Sequence, residues 1–190
     1  MPFYINQVTY NIDGARKSFE NICDTFNCKP HPPTKEAIKT LFMFIHYFLI
    51  HVQNIYDIFY PNTNNAYLCE AEKRFAGERR NNLKSLYPKI YKIRPPKNVQ
   101  GQPVFGQARN QLEHFDTRID SWIMTVDKQN DYLSLNRVIY SKYSKVGVPI
   151  KDRFCWFSED DLFFHFHDQK FDLKAIFDFI KQIESNINEN

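Results

Sequence analysis

The most constraining feature of this 190-residue chain is one long run of apolar residues at helical spacing. Apolar residues recur every three or four positions and so cover one face of a helix: Ile38, Leu41, Phe42, Ile45, Leu49, Val52, Ile55, Tyr56 and Phe59. Thr34 precedes the run and is a good N-cap residue. His46, His51, Gln53 and Asn54 interrupt the apolar residues, so the segment falls short of the roughly 20 needed to cross a bilayer. The pattern predicts a central core helix.

Four other segments show helical spacing, at residues 12–28, 66–86, 105–127 and 171–187. Residues 135–168 instead alternate with period two, which is typical of strands, and SEDD at 158–161 is a plausible hairpin turn. The expected fold is mainly α, an up-and-down bundle of about five helices with a small antiparallel β-hairpin or sheet near the C-terminus. We expect one domain over 1–190, with a bundle core at 12–127, a β insertion at 135–168 and a C-terminal helix at 171–187.

Composition supports a globular domain, because 43% of residues are hydrophobic and 18 Phe and 11 Tyr supply an aromatic core. The four cysteines match neither paired zinc spacing nor a secreted disulfide scaffold, and we expect small buried hydrophobes at Cys23, Cys28, Cys69 and Cys155. The first residues lack the basic start and apolar stretch of a secretory leader, so a cytoplasmic location is expected. Neither a metal site nor a cofactor is predicted.

Charge is concentrated in one segment although the whole chain carries only +3. Between Lys73 and Lys97 there are nine basic residues and one acidic residue, Glu78. Phosphate contacts from such residues supply most of the sequence-independent affinity for nucleic acids, and Tyr87 and Tyr91 could stack bases. The alternative is a solvated helix face followed by a charged loop. The predicted RNA contacts are Arg79, Arg80, Lys84, Lys89, Lys92 and Arg118.

The polar side of the 105–127 helix carries the most specific pattern. Steps of about 100° per residue place Asn110 and His114 one above the other, opposite the apolar stripe. Arg109 begins on the other flank, close to the helix start, and its long side chain can reach toward His114 or a phosphate. The alternative is a solvent-facing helix surface on which Arg109, Glu113, Asp116 and Arg118 form weak ion pairs.

Arginine, a polar residue, three further residues and histidine, on a late helix of a small bundle, resemble the motif of the HEPN superfamily. The motif is matched in full from Arg109 to His114, and the helical order is matched loosely over residues 12–127. The resemblance implies a homodimeric, metal-independent endoribonuclease of the toxin or phage-defence type. It also implies RNA as a partner, and an antitoxin or other regulatory protein as a possible one.

The resemblance implies a role for each motif residue. His114 would be the general base or acid for attack of the RNA 2'-hydroxyl on the adjacent phosphate, and its ordinary pKa of about 6.5 suits that transfer. Arg109 would hold the phosphate and stabilise its developing charge. Asn110 would orient the histidine or a phosphate oxygen. The products would carry a 2',3'-cyclic phosphate.

Two other function classes remain open. The same bundle might serve as a non-catalytic module that binds RNA, a nucleotide or a protein, or as a protein-interaction domain that uses its terminal sheet. His165 and His167 alternate onto one strand face, where two metal ligands would lie, but a solvent-facing strand is the simpler interpretation because a third ligand is not evident. His46 and His51 are interpreted as core or edge histidines.

Overall fold

The computed structural model describes residues 2–27, 34–63, 66–97, 103–105, 134–139, 153–158, 162–166 and 169–189. Within these ranges lie four α-helices: α1 Pro2–Asn27, α2 Lys35–Phe59, α3 Glu70–Leu86 and α4 Leu173–Asn188. A 3-10 turn, η1, spans Ile90–Lys92, and the strands are β1 Ser134–Ile139, β2 Arg153–Ser158, β3 Phe163–Phe166 and β4 Gln169–Asp172. The described part is therefore mainly helical with a small sheet near the C-terminus, and it contains four helices rather than about five. The helix predicted at 105–127 lies outside the described residues beyond Phe105.

Helices α1 and α2 form the centre of the core. The prediction for α2 is confirmed, because the Thr34 hydroxyl accepts a hydrogen bond from the Ala37 amide at 3.1 Å. The predicted stripe is largely buried, with Leu41, Ile45, Phe48, Leu49, Val52, Ile55 and Phe59 almost inaccessible to solvent. Helix α1 begins ten residues earlier than the predicted start at residue 12. Its buried stripe continues back to Val8, and Pro2 suits a first helical turn, where its missing N–H costs nothing.

The two helices approach most closely at Gly14. A Cβ atom built on Gly14 would lie 2.5 Å from the His51 ring, closer than non-bonded atoms come. The neighbouring Asn11 is 5% exposed, and its side-chain oxygen lies 3.0 Å from Nδ1 of His51. The absence of a side chain at residue 14 therefore lets an imidazole from α2 fit against α1.

Helix α3 contacts the rest of the molecule through a narrow stripe. Only Ala76 and Leu83 are buried, whereas Phe75 and Leu86, which the sequence pattern placed on the apolar face, are 59% and 50% exposed. The helix begins at Glu70 rather than residue 66, because the Glu72 carboxylate accepts a hydrogen bond from the Cys69 amide at 2.8 Å. Cys69 is exposed, so the expectation of a buried cysteine is wrong at this position.

The sheet has the strand order β1-β2-β3-β4. Strands β2, β3 and β4 are antiparallel, in agreement with the prediction, whereas β1 pairs parallel to β2. The segment 140–152 separates β1 from β2, and a parallel pair needs a connection of about a dozen residues or more. The inward face of the sheet carries Cys155, Phe157, Phe164, Phe166 and Phe171, all buried, so the buried-cysteine prediction holds for Cys155.

Helix α4 closes the core. It begins at Leu173 rather than residue 171, because Phe171 belongs to β4 and the Asp172 carboxylate caps the helix by accepting a hydrogen bond from the Ala175 amide at 2.8 Å. The Phe177 ring stacks on Phe19 of α1, with ring centroids 4.2 Å apart. Arg16 of α1 forms an ion pair with Glu184 of α4, and this hydrogen bond raises the pKa of Arg16. None of the described helices is long and apolar enough to cross a membrane.

The two helical glycines provide a matched test of this packing. Gly77→Ala should raise the free energy of unfolding by about 0.5–1 kcal/mol, because a Cβ there meets no atom within 4 Å and alanine favours the helix. Gly14→Ala should lower it by about 1–3 kcal/mol, because the new methyl displaces the His51 ring from Asn11. Urea unfolding followed by circular dichroism measures both changes. Equal effects of the two substitutions would contradict the close approach of α1 and α2.

Candidate nucleic-acid interface and an adjoining polar cleft

Four of the predicted RNA-contact residues form an exposed cationic surface on α3 and η1. We call this the basic surface; it consists of Arg80, Lys84, Lys89 and Lys92. Arg80 and Lys84 are four residues apart and therefore neighbours on one side of α3. Lys89 forms an ion pair with Glu189 at 2.9 Å, but both partners are largely exposed, so the pair is weak. The surface can therefore offer cations to a polyanion.

Tyr91 holds η1, and with it the basic surface, against the end of α2. Its hydroxyl donates to the backbone oxygen of Phe59 at 2.9 Å and lies 3.2 Å from that of Arg80. Burial and the neighbouring Tyr60 raise the pKa of Tyr91 to about 12. Tyr91 and Tyr87 are partly buried and pack on the core, so the structure gives them a packing role instead of presenting rings for base stacking.

Arg79 lies apart from the basic surface although it was grouped with it from the sequence. One Nη atom of its guanidinium donates to the backbone oxygen of Asp57 at 3.2 Å. Its Cζ lies 5.2 Å from the centre of the Tyr4 ring, within cation–π range. Consecutive residues on a helix point about 100° apart, which explains how Arg79 faces α1 and α2 while Arg80 does not.

Arg79 lines a cleft between α1, α2 and α3, which we call the polar cleft. Its volume is about 400 Å³, and its lining is Phe3, Tyr4, Gln7, Asn11, Asn54, Asp57, Ile58 and Arg79. Cavities of this size are in the usual range for small ligands. The sequence analysis did not find this cleft, because three separate helices contribute to it.

Asn11 organises the floor of the polar cleft. Its side-chain oxygen accepts from Nδ2 of Asn54 at 3.1 Å and faces Nδ1 of His51, while its own Nδ2 donates to the Gln7 backbone oxygen at 2.7 Å. Burial lowers the pKa of His51, which favours the neutral ring at pH 7. The expectation of an edge histidine is thus confirmed for His51. One signal for Asn11 was available: it lies three residues after Val8 and four before Ala15, on the buried face of α1.

The predicted catalytic residues Arg109, Asn110 and His114 lie outside the described residues, as does Arg118. Phe105 is the last described residue before them. Its ring is buried and packs 4.9 Å from that of Tyr56 and 5.2 Å from that of Phe179, centroid to centroid.

His165 lies on the outward face of the sheet and stacks on Trp156, with ring centroids 3.5 Å apart. On the next strand Lys170 is its register partner, and the Lys170 Nζ lies 3.6 Å from the centre of the Phe163 ring. His167 lies outside the described residues. Among the residues that the structure describes, no group of three His, Cys, Asp or Glu side chains could hold a metal ion.

Comparisons of the chain with the models of known protein families, with curated proteins and with solved structures found no match. Functional inference for this chain therefore depends on its own residues.

The His165 stack makes stability depend on pH. Burial, with a contribution from Lys170, lowers the pKa of His165 to about 4, so the unfolded chain binds a proton more readily than the folded chain. The stabilisation by neutral His165 is therefore complete above pH 6.5 and is lost as the pH falls toward 4.

We expect His165→Phe, which keeps a flat ring on Trp156, to lose about 1 kcal/mol less stability than the wild type between pH 7 and pH 4.5, after allowance for solvent screening. Urea unfolding at several pH values measures the difference. Parallel pH profiles for the two proteins would show that this ring titrates as it does in the unfolded chain.

Proposed function

We propose that this chain is an RNA-binding helical protein that cleaves RNA without a metal ion, with Arg109, Asn110 and His114 as the catalytic residues. The observation that carries the RNA part is the exposed basic surface on α3 and η1. Cleavage rests on the resemblance of the Arg109–His114 motif to that of the HEPN superfamily. The basic surface would hold the RNA backbone, and the motif, paired with that of a second copy, would act on one phosphodiester.

The position of Phe105 supports a shared RNA path. Phe105 packs on Tyr56, and the charge of Arg80 acts on the same ring: burial raises the pKa of Tyr56, and Arg80 partly opposes that rise. Four residues of chain reach about 14 Å at most, so Arg109 begins within that distance of Phe105. Arg80 and the start of the motif therefore belong to one end of α2, a spacing that a few nucleotides would bridge.

The chemistry at the phosphate would divide between the three motif residues. His114 would remove the proton of the 2'-hydroxyl or supply one to the leaving 5'-oxygen, and a second copy of the motif would provide the other transfer. Arg109 would stabilise the negative charge on the phosphate oxygens. Asn110 would orient one of these groups by hydrogen bonding. A toxin or phage-defence role, controlled by an antitoxin or other regulatory protein in the cytoplasm, is part of the same proposal.

A cleavage assay with full-length protein and mixed RNA in EDTA tests the catalytic part. We expect products that end in a 2',3'-cyclic phosphate and loss of cleavage in both Arg109→Ala and His114→Ala, by at least about 100-fold. Glu113→Ala is the matched control, because Glu113 adjoins the histidine but is not a motif residue; its activity should remain. Absence of cleavage with intact RNA binding would support the non-catalytic module, and absence of both would overturn the proposal.

Salt dependence tests the RNA-binding part separately. Double-stranded or single-stranded RNA binding should weaken steeply with salt, because bound phosphates release counterions. Arg80→Gln and Lys84→Gln should each reduce the slope of log K against log salt by about 0.7–0.9. Lys39→Gln is the control, since Lys39 is exposed on α2 and paired with Glu36. A slope that does not change in the two α3 variants would remove the basic surface from the proposal.

A further inference from the structure

Arg79 is a partly buried cation without an acidic partner. Its guanidinium carries five N–H donors. Among the described residues it makes one hydrogen bond, to the Asp57 backbone oxygen, and its buried Nε has no acceptor. No carboxylate of the described residues lies within ion-pair distance of it. Buried charges are normally paired, so this arrangement leaves a site for an anion.

The remaining lining of the polar cleft suits a flat ring with polar edges. Phe3 and Ile58 supply apolar surface, and the Phe3 ring is 66% exposed at the rim. Gln7 and Asn54 contribute carboxamides that can donate and accept. The Asp57 carboxylate, which accepts from Nε2 of Gln53 at 2.8 Å, is an acceptor for an N–H or O–H group on the ring.

We propose that the polar cleft binds a small anion that carries a flat, hydrogen-bonding ring, with the anionic group at Arg79 and the ring against Phe3. Aryl carboxylates with a hydroxyl group and nucleoside monophosphates share this chemistry. A planar guanidinium matches a carboxylate or a phosphate with two parallel hydrogen bonds. The inference does not rest on the proposed ribonuclease function, because neither the basic surface nor the Arg109–His114 motif contributes a residue to the cleft.

Arg79 also has a structural role that must be separated from ligand binding. It joins α3 to the C-terminal part of α2 and to Tyr4 of α1. If that were its whole role, Arg79→Gln would change only stability. The two roles differ in one measurable respect, since only a binding site responds to an added anion.

Isothermal titration calorimetry of the full-length chain with 4-hydroxybenzoate, with uridine monophosphate and with inorganic phosphate tests the proposal. We expect a dissociation constant below about 1 mM for at least one of the two ring-bearing anions and weaker binding of inorganic phosphate. The preferred ring-bearing anion identifies the source of the ligand. Arg79→Gln should weaken binding at least about tenfold, because it removes charge-assisted hydrogen bonds.

Arg80→Gln is the matched control, because it removes the same charge from the adjacent position on the opposite flank of α3; its affinity should equal that of the wild type. Phe3→Ala, at the exposed rim, should weaken binding by about three- to tenfold and decides the question if Arg79→Gln fails to fold. Absence of binding by both ring-bearing anions at 5 mM, or equal losses in Arg79→Gln and Arg80→Gln, would overturn the inference.

Discussion

The close approach of α1 and α2 at Gly14 is the contact on which the described structure depends. Without a side chain at that position, the His51 ring fits against α1 and Asn11 provides its hydrogen-bond partner. The same Asn11 side chain binds Asn54, so one buried amide fixes the register of the two helices and the floor of the polar cleft. Buried polar groups that are fully hydrogen-bonded specify one arrangement, whereas apolar contacts alone tolerate sliding.

The C-terminal end of α2 is where the helices that carry function meet. Phe59 accepts the Tyr91 hydroxyl, and Tyr56 receives the Phe105 ring. These aromatic contacts hold the basic surface and the chain that leads into the Arg109–His114 motif beside one another. On the other flank of α3, Arg79 serves the polar cleft. One short cationic helix therefore contributes to two separate surfaces, since its consecutive arginines point in different directions.

Local signals in the sequence predicted the local structure. The apolar stripe and Thr34 predicted α2, and period-two alternation predicted strands near the C-terminus, because both patterns report the neighbours of each residue along the chain. Periodicity does not report how much of an apolar face finds a partner, which is why Phe75 and Leu86 were placed inward. The parallel pairing of β1, the extension of α1 and the polar cleft depend on contacts between distant segments. The roles of Arg109, Asn110 and His114 remain predictions.

Cross-linking of 4-thiouridine-labelled RNA to the full-length protein, followed by mass spectrometry of the peptides, tests most directly whether the basic surface and the motif act on one RNA. The account predicts adducts in two regions, residues 80–97 and residues 106–118, and loss of both at high salt. Adducts confined to the outward face of the sheet, or distributed without preference over the chain, would contradict it.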